Sequence, residues 1–265
     1  MKTQFIKCKT TDSKAVLRPL ALLAACLLTA CALSAPAAAG VICDGTGCIE
    51  LDHFSRAIQF QPTANPNHLF ELMHFISVNN GPVEEVNAAN YAVITPLPAF
   101  SWLTGSSSVL RNPGDLQIEF WHYVSELNPS YMKWTMYVVL INRSDLPMDV
   151  CHYLYTDPDL FGTPGDDSAQ YVPVFPPTGT PAFLLEDAAN PGSVFVVQER
   201  TGLSSNFELN PYPLVKASLS VAPNCIGLPN VQPNMYGDVT GAMQSTMTIP
   251  YGGAVFMEFP VARLN

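Results

Sequence analysis

Four cysteines after residue 39 are the most reactive side chains in the sequence: Cys43, Cys48, Cys151 and Cys225. An even number in an exported chain predicts two disulfides. Three connectivities exist, but the flexible four-residue spacer between Cys43 and Cys48 favours local closure, which leaves Cys151 to pair with Cys225. A zinc site is disfavoured because the spacings supply no paired C-x-x-C set.

A second group with possible chemistry is the acidic loop from Asp157 to Asp167, where carboxylates alternate with Gly and Pro. Carboxylate and carbonyl oxygens are the ligands of Ca²⁺, which takes six to eight of them. The loop differs from an EF-hand, because Phe161 stands where Asp or Asn is needed and no Glu occupies the twelfth position. Asp and Gly are also the residues that form turns in long loops, so we favour turn formation and predict no cofactor and no metal site, with Ca²⁺ binding by this loop as the alternative.

Five histidines are scattered along the chain: His53, His68, His74, His122 and His152. His122 and His152 occupy strand positions whose neighbours of equal parity are apolar. We therefore interpret both as partly buried, hydrogen-bonded residues rather than as catalytic bases.

Aromatic residues lie in or beside several predicted strands: Trp102, Trp121, Tyr123, Tyr137, Tyr153 and Tyr155. Exposed on a strand face, such rings form a platform for sugar rings. The alternative is a second buried face packed on another sheet, which we favour because aromatic rings contribute much of a core's area.

No established catalytic motif is present. The sequence lacks the nucleophile elbow G-x-S-x-G, the metalloprotease motif H-E-x-x-H, a P-loop and a dinucleotide fingerprint. We therefore assign no catalytic residue and expect a non-enzymatic protein.

The first 39 residues have the features of an export signal. Five basic residues precede an apolar run from Leu20 to Leu33, and three alanines precede Gly40. The run is shorter than the roughly 20 residues of a membrane span. Leu28 to Cys31 also resembles a lipobox, so a lipid anchor on Cys31 is the alternative to release of a soluble protein. We expect a secreted, periplasmic or cell-surface protein with no transmembrane segment after cleavage.

The chain from Gly40 onward is strongly acidic, with 7 Lys and Arg against 21 Asp and Glu, a net charge of −14. Nucleic-acid binding requires clustered cationic side chains, so it is excluded as a function class.

Apolar and polar residues alternate with a period of two along much of the chain, which predicts that β-strands position all these residues. Leu116, Ile118 and Phe120 alternate with polar or amphipathic residues, and Trp134 to Leu140 alternate likewise in a segment that reads as a central strand. A turn at Asn142–Asp145 predicts that this strand and Met148–Thr156 form a hairpin or adjacent antiparallel strands. The other predicted strands are 57–61, 69–78, 91–94, 171–175, 193–199, 214–221, 241–249 and 254–259, with helical turns only at 65–72 and 83–90.

Frequent Pro and Gly between short strands favour an all-β fold, an antiparallel β-sandwich or jelly roll. We assign residues 1–39 to the signal peptide and 40–265 to a single β-sandwich domain.

Three segments carry a resemblance: Tyr137–Ser144, Val150–Asp159, and Gly237–Gln244 before Pro250–Gly253. They resemble uncharacterised exported bacterial β-sandwich proteins. The resemblance implies a sandwich fold and an exported location, and it brings no catalytic residues. We expect a surface, matrix or adhesion component whose partners are itself, other surface proteins or glycans. The alternative is a carbohydrate-binding module or glycan-active enzyme.

Overall fold

The computed structural model describes residues 40–43, 47–62, 67–69, 71–98, 100–102, 104–128, 131–162, 165–233 and 236–264. Residues 1–39, for which a signal peptide is predicted, lie outside the described residues, and so does Cys31. The first strands are β1 (Gly40–Cys43), β2 (Gly47–Leu51), β3 (Ala57–Pro62), β4 (Glu71–Val78), β5 (Glu84–Glu85), β6 (Tyr91–Thr95), β7 (Phe100–Trp102), β8 (Thr104–Arg111) and β9 (Leu116–Asn128). They are followed by β10 (Tyr131–Asn142), β11 (Met148–Asp157), a 3₁₀ helix (Leu160–Gly162), β12 (Asp167–Phe175), β13 (Thr180–Asp187), β14 (Val194–Gln198), β15 (Ser204–Pro211), α1 (Leu214–Ser220), β16 (Val239–Ile249) and β17 (Ala254–Leu264).

Two packed sheets account for the fold, which is nearly all antiparallel β. The first sheet has the order β15-β16-β11-β4-β3-β2-β1-β7, with β5 paired to β4. The second has the order β12-β13-β14-β17-β10-β9-β8-β6. The predicted β-sandwich is therefore confirmed.

The core lies between the sheets and follows the predicted alternation. Phe120 on β9 is opposite Val138 on β10, and both are fully buried. Because β10 pairs with β9 on one side and β17 on the other, it is the central strand that its two apolar faces indicated.

The predicted pairing of β10 with the segment 148–156 is wrong. β11 pairs with β4 and β16 in the first sheet, so the Asn142–Asp145 turn carries the chain from one sheet to the other. The buried Asn142 stabilises this crossing: its amide donates to the carbonyls of Leu146 at 2.7 Å and Ile249 at 3.0 Å. Its carbonyl accepts the Ser144 N–H.

The strand predicted at 214–221 is also wrong, because this segment forms helix α1. Its two buried residues, Val215 and Leu219, are four positions apart and share one helix face. That face packs on Tyr153 and Tyr155, on the side of the first sheet away from the core. The tertiary contact therefore outweighs the strand-like composition.

The helical turn predicted at 65–72 is not formed in the described residues, and the one predicted at 83–90 is reduced to a single hydrogen-bonded turn from Asn87 to Tyr91. Glu71 begins β4, Glu84 and Glu85 form β5, and bends and turns occupy residues 86–90. The Asn87 carbonyl accepts the N–H groups of Asn90 at 3.1 Å and Tyr91 at 2.9 Å, and the Asn87 side chain caps this turn by accepting the Ala89 N–H at 3.0 Å.

Both predicted cysteine pairs are bonded. Cys43–Cys48 links β1 to β2 where the two residues are directly opposite. Cys151–Cys225 links β11 to the segment that follows α1. Among the described residues, none belongs to a helix with the length and apolar character needed to cross a membrane.

Candidate functional site

The outer surface of the second sheet carries a group of exposed aromatic rings. Trp121 is 54% exposed, Phe256 49% and Tyr123 43%, and the half-buried Tyr137 lies between them. Alternation explains the arrangement, because the adjacent residues on the same strands point into the core. We call Trp121, Tyr123, Tyr137 and Phe256 the aromatic face.

Strand register holds these rings close together. Trp121 on β9 is directly opposite Tyr137 on β10. The Tyr137 ring stacks on that of Phe256 on β17, with 5.4 Å between ring centroids and 26° between ring planes. Since neighbouring strands are about 4.8 Å apart, the four side chains form one continuous patch over three central strands.

A cavity of about 550 Å³ lies over this patch. Its wall combines three rings of the aromatic face, Trp121, Tyr123 and Tyr137, with small polar residues of β8. The lining residues are Pro98, Thr104, Gly105, Ser106, Trp121, His122, Tyr123 and Tyr137. This size falls within the range of small-molecule sites, and its apolar floor with polar edges suits an amphipathic ligand.

A smaller depression of about 150 Å³ continues from the cavity and shares Ser106 and Trp121 with it. Glu119 lies on its wall and accepts a hydrogen bond from Gln117 at 2.9 Å. Arg143 in turn donates to Gln117 at 2.9 Å. The carboxylate is thereby oriented at the edge of the aromatic face.

Charged groups flank the other side of Tyr137. Glu258 is directly opposite it on β17 and forms an ion pair with Arg200 at 3.2 Å. Burial, followed by the charge of Glu258, raises the pKa of Tyr137, whose hydroxyl therefore stays protonated at neutral pH. This edge provides hydrogen-bond donors and acceptors next to the rings.

The structure divides the aromatic residues singled out from sequence. Trp121, Tyr123 and Tyr137 come together, whereas Tyr153 and Tyr155 are buried, as the alternative interpretation held, but beneath α1 and not against another sheet. The Tyr153 hydroxyl is fixed by Ile226, donating to its carbonyl at 2.8 Å and accepting its N–H at 3.0 Å. The side chain of Trp102 lies outside the described residues.

His122 and His152 are hydrogen-bonded, as predicted, but they are almost fully rather than partly buried. Trp134 donates to Nδ1 of His122 at 3.2 Å. Nε2 of His152 lies 2.9 Å from Nδ1 of His74, a third buried histidine whose role the sequence did not reveal. Burial lowers the pKa of His122 and of His152 to about 3, so both imidazoles are neutral core groups at pH 7.

The acidic loop is assembled with residues that the sequence did not connect to it. Asp157 and Asp159 lie beside Asp238, with one carboxyl oxygen of each within 4.8 Å of the others. Asp166 and Asp167 are grouped in the same way with Asp187. Burial is the largest cause raising the pKa of Asp157 to about 7 and that of Asp167 to about 8. Oxygen ligands at this spacing can hold a hard cation.

No protein-family model and no curated protein matches the sequence. Solved structures do match the fold. A bacterial glucoamylase in complex with acarbose superposes with a TM-score of 0.59 and 8% identity over 86% of this chain. This chain spans 33% of the glucoamylase's length. A putative aldose 1-epimerase from Escherichia coli K12 superposes with a TM-score of 0.50 and 7% identity, covering 85% of this chain and 98% of that one. At such low identity the likeness establishes a shared β-sandwich fold.

Proposed function

We propose that the protein binds carbohydrate through the aromatic face. The observation that carries the proposal is a patch of four adjacent rings on three central strands, three of them exposed, with a cavity over Trp121, Tyr123 and Tyr137 that has hydroxyl groups on its wall. Monomeric soluble proteins seldom leave such apolar patches uncovered unless the patch has a binding role. The C–H face of a pyranose stacks on aromatic rings, while its hydroxyls require the polar edges supplied by Ser106, Glu119 and Glu258.

Two structural relatives support the same ligand class. The glucoamylase was solved with acarbose bound, and the second structure is described as a putative aldose 1-epimerase. Their fold likeness gives no residue correspondence. It adds that the sandwich architecture is found in proteins that act on sugars, which favours a carbohydrate role over general adhesion.

Charge narrows the type of glycan. The net charge of −14 from Gly40 onward repels sulfated and phosphorylated polymers, because long-range electrostatics lower the association rate of like-charged partners. We therefore propose neutral or amine-bearing glycans as ligands.

The proposed setting is outside the cytoplasm, as a secreted, periplasmic or surface protein. Two disulfides are typical of an oxidising compartment. The export signal in residues 1–39, with release after Ala39 or lipidation of Cys31 as its two outcomes, remains part of this proposal. Other surface proteins or further copies of the chain are additional candidate partners.

A glycan array with neutral, amine-bearing and sulfated ligands tests this function. We expect binding to members of the first two groups and none to the third. Tyr123→Ala should weaken binding. Tyr251→Ala should not, because this ring is also exposed (70%) but lies in the turn between β16 and β17 and does not belong to the aromatic face. Absence of binding across the array would refute the proposal. A reducing-sugar assay on bound polysaccharides distinguishes binding from hydrolysis.

A further inference from the structure

Three aspartates meet where the end of one strand of the first sheet lies beside the beginning of its neighbour. Asp157 ends β11, Asp159 follows two residues later, and Asp238 directly precedes β16. Because β11 and β16 are antiparallel, the end of one lies beside the beginning of the other, as the pairing of Thr156 with Gly241 shows. The three carboxyl groups each bring an oxygen within 4.8 Å of the other two. We call Asp157, Asp159 and Asp238 the first aspartate cluster.

The first aspartate cluster includes buried oxygens without hydrogen-bond donors. Asp157 is 2% exposed, and its Oδ1 has no partner among the described residues. Its Oδ2 accepts only a long bond of 3.4 Å from Tyr155, as far as the described contacts go. Oδ1 of Asp238 is likewise buried and unpartnered within the described part of the chain. Removing a carboxylate from water without compensation is costly, so these oxygens point to a bound cation.

Nearby basic side chains are engaged elsewhere. Arg56 and Lys216 both pair with Glu71, which lies close enough to Asp157 to raise its pKa further. The described contacts therefore leave the negative charge of the first aspartate cluster unneutralised by protein groups.

The second cluster, formed by Asp166, Asp167 and Asp187, also has unpartnered buried oxygens within the described residues, Oδ1 of Asp166 and of Asp167, but its third member is already engaged. Both oxygens of Asp187 already accept hydrogen bonds, from the Ala189 N–H at 2.7 Å and from the Asn190 amide at 2.5 Å. Asp187 thus closes its own turn, which is a sufficient structural role.

We propose that the first aspartate cluster binds one Ca²⁺ ion. All three groups are hard oxygen donors, which suit Ca²⁺ and not the softer metals that prefer nitrogen or sulfur. The ion joins the beginning of β16 to the loop after β11, and this loop is the segment from Asp157 to Asp167 that carries the acidic sequence pattern. The ligand from Asp238 distinguishes the site from an EF-hand, in which one continuous loop supplies all the protein ligands.

Isothermal titration of the EDTA-dialysed protein with CaCl₂ tests the proposal, together with thermal melting. We expect one ion per chain and a rise in melting temperature of about 5 to 10 °C at 100-fold excess over Kd. Asp159→Asn and Asp238→Asn should each weaken Ca²⁺ binding at least about tenfold. Both variants should still fold, because they relieve repulsion between carboxylates, and in EDTA they should melt at or above the wild-type temperature.

Two matched variants complete the experiment. Asp149→Asn changes an exposed aspartate that accepts a hydrogen bond from Thr248, and it should bind Ca²⁺ like the wild type. Asp166→Asn changes the second cluster and should also bind normally. The proposal is overturned if the wild type shows neither heat nor a melting shift, if Asp238→Asn binds with unchanged affinity, or if Asp166→Asn alone abolishes binding.

Discussion

Because the folded protein keeps the buried His122 unprotonated, His122 should make the protein less stable in mild acid. Burial holds the pKa of this imidazole at about 3, below its ordinary value of 6.5. Between these two pH values the unfolded chain takes up a proton that the folded chain excludes. The contribution of His122 to the free energy of unfolding is therefore fully present above pH 6.5 and is lost as the pH falls. From pH 7 to pH 5 the loss is about 2 kcal/mol, since each pH unit below 6.5 contributes about 1.4 kcal/mol.

The variant His122→Asn isolates this contribution. The amide oxygen of Asn can accept the Trp134 N–H in place of Nδ1, but it does not titrate. Urea unfolding at pH 7 and pH 5 should therefore show that the variant loses about 2 kcal/mol less than the wild type. The pH dependence of the variant must be compared with that of the wild type. The raised pKa values of Asp157 and Asp167 stabilise the folded protein as the pH falls, and this partly hides the effect of His122 in either protein alone.

Trp134→Phe is the matched control. It removes the same hydrogen bond without removing the titrating group, so it should lower stability equally at both pH values. An identical pH dependence in His122→Asn and the wild type would refute the reasoning, because His122 would then be able to take up its proton in the folded state.

Two further predictions concern stability. Replacing both Cys151 and Cys225 by Ala should lower the free energy of unfolding by about 4 kcal/mol, because the disulfide spans a sequence separation of 74 residues. A loss under about 1 kcal/mol in urea unfolding would contradict this. Gly241→Ala would place a methyl group 2.8 Å from Leu209 and 3.0 Å from Phe183. We expect the free energy of unfolding to fall by about 1 to 3 kcal/mol in the same assay. An unchanged urea midpoint would show that the core has room for the methyl group.

Alternation along β9 and β10 was sufficient to predict which side chains form the core. Phe120 and Trp134 are buried because every second residue of a strand faces the same side. The sequence could not separate Tyr123 from Tyr153, since both alternate with apolar residues in strands. Tyr153 is buried by α1 and the segment after it, which lie more than 60 residues further along the chain and are linked to β11 through Cys225.

Sheet membership and the acidic cluster depended on contacts between distant residues. The Asn142–Asp145 turn has the composition of a hairpin, and it links two sheets because Asn142 bonds to Ile249 more than 100 residues away. Asp238 lies 81 positions after Asp157, so no local spacing rule connects them. His74 was missed because every residue of β4 is buried and the strand shows no alternation.

Titration of Trp121→Ala with a glycan that the wild type binds tests the central claim most directly. Trp121 is the most exposed ring of the aromatic face and forms part of the cavity wall. Loss of an aromatic contact at the centre of a binding surface commonly costs about 2 kcal/mol or more, so we expect Kd to rise at least about tenfold, with Tyr251→Ala unchanged. A Kd for Trp121→Ala equal to that of the wild type would contradict carbohydrate binding at this face.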